Sequence, residues 1–136
     1  MNTLQNVLAR VHAILDKLTP YSTSVLRIVI GLVFIYFGYT GIVTPDMWAG
    51  FVPEWTSFLG TPEKLVQLHG IAEVALGLLL ILGIQTRIIA LLLFLNLAHM
   101  ITTIEFGPSM VRDFGILAGL FTLTATQPNQ TAQNTN

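Results

Sequence analysis

His69 and Glu73 stand four residues apart, and Asn96 and His99 three apart, in stretches otherwise built almost wholly from Leu, Ile, Val, Ala and Gly. On helices these spacings put each pair on one face. A carboxylate flanked by imidazoles can take up or release a proton. With an amide and a phenol such as Tyr39, the same groups can hydrogen-bond the polar head of a quinone or another membrane-soluble molecule. Two imidazoles and a carboxylate also make an N/O donor set for zinc or divalent copper. Three readings stay open at this level: a hydrogen-bonded plug that fixes helix register, a ligand site, and a metal site on His69, Glu73 and His99.

The elements that must position these groups are apolar runs, Val25 to Val43, Leu65 to Ile84 and Ile88 to Ile104, with a shorter fourth from about Phe114, or from near Met110, to Thr126. A bilayer crossing needs roughly 20 residues at about 1.5 Å rise each, so the expected fold is an all-α membrane protein, an antiparallel four-helix transmembrane bundle. Composition agrees, with 53% hydrophobic and 10% charged residues and a mean hydropathy of +0.71. Residues 21–126 form the expected transmembrane domain, 1–20 an N-terminal helix, and 127–136 a polar, disordered tail. With no cysteine, disulfides, thiolate ligands and thiol redox chemistry are excluded. Nothing resembles a nucleotide loop, a nucleophile with its base, or a nucleic-acid surface.

Charge sets an orientation. Arg10, Lys17, Arg27 and Arg87 flank the ends on the N-terminal side, whereas the first and third loops hold Asp46, Glu54, Glu63 and Glu105 against Lys64 and Arg112. The bias of basic residues predicts a multi-pass plasma (inner) membrane protein with both termini cytoplasmic. The N-terminus lacks the pattern of a cleaved signal peptide. Leu4, Val7, Leu8, Val11, Leu15 and Leu18 form a stripe suited to the membrane surface or a partner, in an interfacial amphipathic helix ended by Pro20. In the first loop Trp48, Phe51, Val52, Trp55, Phe58 and Leu59 also follow helical spacing between Pro45, Pro53 and Pro62, and predict one or two short interfacial helices, either an aromatic belt or a lid.

Helix packing in lipid favours small residues, and Gly31, Gly38 and Gly77, with Gly115 and Gly119, are expected to be structural contacts. Measured inward from Leu65 and Ile104, His69 lies about 6 Å deep, Glu73 and Asn96 about 12 Å, and His99 about 7 Å. Tyr36, Tyr39, Arg112 and Asp113 reach the same outer level. Glu73 needs a partner in the membrane, and His69, His99 and Arg112 are the candidates. Arg27 either snorkels or turns inward toward Gln85, Thr124 or a helix C-terminal carbonyl.

The runs RIVIGLVFIYFGYTGI (27–42), IAEVALGLLLILGIQTRIIALLL (71–93) and VRDFGILAGLFTL (111–123) resemble the DoxX and DoxD-like family of small integral membrane proteins. The resemblance covers about residues 24–124, and Arg27, Glu73 and Arg87 match the family's recurrent polar positions. A lysine common in the family after the first helix's glycine is replaced here by Gly38-Tyr39-Thr40-Gly41. The resemblance implies a four-helix membrane protein, in some relatives the membrane subunit of a thiosulfate:quinone oxidoreductase. The expected function is a small subunit or accessory protein of a membrane redox complex, contacting a quinone-like or lipid ligand through Glu73, His69, His99, Asn96, Tyr39 and Arg112, and not a catalyst alone. Membrane lipids and other membrane subunits, or a homo-oligomer, are the expected partners. A metal-binding or transport protein and a purely structural assembly subunit are the alternatives.

Overall fold

The computed structural model describes residues 2–103 and 107–126. Helix α1 runs Asn2–Val43, α2 Asp46–Ala49, α3 Pro62–Leu82, α4 Thr86–Thr103 and α5 Pro108–Ala125, with a 3-10 turn at Glu54–Thr56. No strand occurs among the described residues. The residues Thr3–Val43 and Pro62–Leu82 form two helices long and apolar enough to cross a membrane, and Thr86–Thr102 is a shorter apolar helix.

Local chemistry sets the ends. Both α3 and α5 begin with a proline, at the one position where its missing N–H costs nothing. The C-terminus of α3 closes on Gly83 at φ 78°, whose N–H donates to the Leu80 carbonyl at 3.1 Å while Ile84 N–H reaches back to Leu79 at 3.1 Å. This paired cap needs a left-handed residue, which glycine supplies without a Cβ penalty. Gln85 follows at φ 46° and its carbonyl starts α4.

One boundary differs from expectation. The helix expected to end at Pro20 continues through it, so α1 is a single element of 42 residues. Proline removes one donor and crowds the preceding turn. The site is exposed, and hydroxyls bond carbonyls nearby, Thr19 to Leu15 at 3.2 Å and Ser22 to Thr19 at 2.8 Å. The expected short helices in the first loop are present as α2 and the 3-10 turn. The polar tail expected at 127–136 lies outside the described residues, as does Glu105.

Helices α1 and α3 meet backbone to backbone. A Cβ on Gly38 would sit 2.5 Å from the Gly70 carbonyl oxygen, and one on Gly31 2.8 Å from that of Gly77. Each methyl omitted lets the helices close, the packing mode available where lipid replaces water outside. Gly119 likewise admits the side chains of Ile30 and Leu26. Gly115 does not: among the described residues a Cβ there would meet nothing within 4 Å, and the contact expected of it is absent from them. Leu80, Leu93, Leu120 and Leu123 fill the centre with Ile30 and Phe34. Much of the outside is apolar too, Leu32, Leu68, Leu78, Leu92 and Phe121 among it.

Candidate functional site

A cavity of about 470 Å³ lies between α1, α3, α4, α5 and the first loop. Phe34 and Phe37 enter it from α1, His69 and Glu73 from α3, Asn96, His99 and Met100 from α4, and Ser109, Arg112 and Asp113 from α5. The loop contributes Trp48, Phe51 and Val52. Of the polar groups that the sequence places at the outer level, His69, Glu73, Asn96, His99, Arg112 and Asp113 therefore line one space, and Tyr36 and Tyr39 do not.

Glu73 is its most buried acid on α3, at 8% exposure. The Asn96 amide donates to Glu73 Oε1 at 3.0 Å, joining α3 to α4 at the level that depth-matching predicts. His69 Nε2 lies 3.4 Å from the same oxygen, one helical turn away, and its imidazole is more than half exposed. A carboxylate held by a neutral amide on one side and an ionisable imidazole on the other can exchange a proton without moving its chain.

Of the three candidates for Glu73's partner, His69 lies beside it, and Arg112 pairs elsewhere. Its Nε donates to Asp113 Oδ1 at 2.9 Å, and its guanidinium carbon lies 5.3 Å from the centre of the Phe37 ring. Asp113, only 6% exposed, already satisfies the cation locally, so Arg112 is not Glu73's counter-ion. The sequence places Asp113 at the outer level beside Arg112, and its position directly after an arginine at the mouth of an apolar run is the signal for their pairing.

Tyr39 is corrected as well. It is 59% exposed and absent from the cavity wall. Because Gly38 is pressed against Gly70, the next residue is turned about 100° away from the bundle. His99 lines the cavity on α4, but among the described residues no three of His, Cys, Asp and Glu form a group that could hold a metal ion.

The loop covers this space with an aromatic chain. Phe37 and Trp48 meet edge to face at 6.0 Å, and Trp48 and Phe51 are 6.2 Å apart. Among the described residues the buried indole Nε1 of Trp48 has no hydrogen-bond partner. Trp55 and Phe58 instead remain exposed and do not line the cavity.

At the opposite end Arg27 turns inward. Its Nη1 would lie 2.7 Å from a Cβ on Gly83, placing the guanidinium over the carbonyl-rich end of α3, where the helix dipole favours a cation. Its buried Nε has no hydrogen-bond partner among the described residues. Thr124, weighed above as an acceptor for Arg27, serves Arg87 instead, through its carbonyl at 3.0 Å.

With this geometry in place, comparison with known proteins adds one match. The DoxX family model matches residues 22–107, which takes in α1 from Ser22 onward, the first loop, α3 and α4. No curated protein and no solved structure matches the chain.

Proposed function

The chain belongs to the DoxX family of membrane proteins, and on that premise we propose that it is a small subunit or accessory protein of a membrane redox complex whose cavity takes the polar head of a quinone-like or lipid ligand. The redox setting follows from what the family resemblance implies. The ligand class follows from the cavity. One observation carries the reading: a buried carboxylate, Glu73, is held by Asn96 and His69 at the wall of a mainly apolar space roofed by Trp48 and Phe51. Pockets of this kind bind apolar bodies and read them with a few polar groups.

In this reading α1, α3, α4 and α5 form an antiparallel four-helix bundle in the inner membrane, with both termini cytoplasmic. At about 1.5 Å per residue, the 18-residue α4 and α5 are about 27 Å long, close to a hydrocarbon core of about 30 Å. The cavity then opens toward the outer leaflet. Asn96 fixes the Glu73 carboxylate, Glu73 and His69 hold or pass a proton at the ligand's oxygen, and His99 and Arg112 supply further donors.

The test is binding of a short-chain quinone to the purified protein in nanodiscs. Glu73→Gln keeps the shape and removes the charge, and is expected to weaken binding about tenfold or more, the worth of a charged hydrogen bond. Unchanged affinity would overturn the reading. Parallel mass spectrometry of gently extracted complexes is expected to find a stoichiometric redox partner.

A further inference from the structure

The first 20 or so residues of α1 do nothing for the bundle. Thr3–Ser22 is exposed at every position, and the family match begins only at residue 22. At about 1.5 Å per residue this arm is about 30 Å long, as long as a bilayer core is thick. Its apolar residues repeat with a period of seven. Leu4, Leu8, Val11, Leu15 and Leu18 alternate spacings of four and three, the a/d pattern of helices that wind around one another. Val7, Ile14 and Tyr21 fall at one further heptad position, g, and widen the same stripe. Each of these eight residues is 45–67% exposed within the single chain.

We propose that this arm is a self-association element, and that its stripe is covered by the arm of a second copy of this chain in a parallel helical bundle. Three features select that occupant. The polar residues sit off the seam: Arg10 and Lys17 at c, Asp16 at b, Pro20 at f, and the uncharged Gln5 and Thr19 with His12 at e, so identical arms meet without opposing fixed charges. The exposed stripe amounts to on the order of 800 Å² per arm, what each partner gives to a stable interface. The arm also continues the helix that packs on α3 instead of ending at Pro20, so it leads away from a membrane that α1 crosses and does not lie along it. Copies inserted in one orientation then present their arms side by side and in register, at high effective concentration. This last step rests on α1 crossing the bilayer, which retention of the protein in alkali-washed membranes checks separately.

The absence of cysteine makes the chain a clean host for single-cysteine cross-linking. In proteoliposomes of the purified protein, oxidation of Leu8→Cys, Val11→Cys, Leu15→Cys and Leu18→Cys is expected to give disulfide-linked dimers in about tenfold higher yield than Asn6→Cys and Ala13→Cys at the outward f position. Adding Leu15→Glu to Leu8→Cys should lower its yield to the Asn6→Cys level. The arm buries nothing within its own chain, so these variants leave the bundle folded. A yield that is absent or does not repeat every seven residues, as for an arm lying on lipid or held by a different protein, overturns the proposal, and so does a yield unmoved by Leu15→Glu.

Discussion

Asn96 is an intermediate-exposure amide whose hydrogen bond secures the buried Glu73 carboxylate across two helices. Replacing it with Leu keeps bulk and removes the donor, leaving a charge in low dielectric with only His69 beside it. A loss of about 1–3 kcal/mol is expected, read as a fall in thermal midpoint in detergent; an unchanged midpoint would show that the bond is not part of what holds α3 to α4. The pair was readable from sequence because depth along a helix depends only on residue count, and both side chains lie about two turns in. Arg112's partner was missed because matching depths pairs groups on different helices, whereas Arg112 reaches the acid next to it on its own helix. Tyr39 failed on phase: the glycine stripe through Gly31, Gly38 and Gly41 already marks the face that meets α3, and Tyr39 is off it.

At the scale of elements, the glycines divide into contacts and spectators. A methyl at Gly38 would collide with backbone oxygen and with Val74 and Glu73, none of which can step aside without moving a helix. Gly38→Ala is expected to cost about 1–3 kcal/mol or more, as overpacking does. Gly115→Ala meets open space and should be neutral or stabilising by up to about 1 kcal/mol through helix propensity. Thermal melts of the two variants side by side check both, and equal destabilisation would sink the distinction. Composition alone marks both residues alike; only the third dimension separates them. Helix limits were far more legible, because apolar runs, N1 prolines and Gly83 each have a local physical reason. Pro20 misled because a lone proline at an exposed helical site is a cost and not a prohibition.

For the molecule as a whole, the proposed topology puts the cavity and the N-terminal arm on opposite sides of the membrane. A reporter fused after Asn136 is expected to be active only in its cytoplasmic form; periplasmic activity would mean an odd number of crossings or the opposite orientation. The all-helical architecture could be read from hydropathy and period, since lipid imposes helices on any segment that must satisfy its own backbone. The cavity's polar contents could be read because charge is scarce in such a chain. Its aromatic cover was one of two alternatives read from the loop's spacing, a belt or a lid, whereas the ring contacts between Phe37, Trp48 and Phe51 that hold it are announced by no periodicity. The turn between α3 and α4 has a consequence for how such a chain is made. Only Gly83, Ile84 and Gln85 connect the two helices, and the first of these is pinned by its own cap. In the proposed topology so short a connector ties two crossings together, and the hairpin is expected to enter the bilayer as one piece. Damage to Gly83 is then expected to surface first as a failure of biogenesis, read as too little protein delivered to the membrane for ligand binding to be assayed.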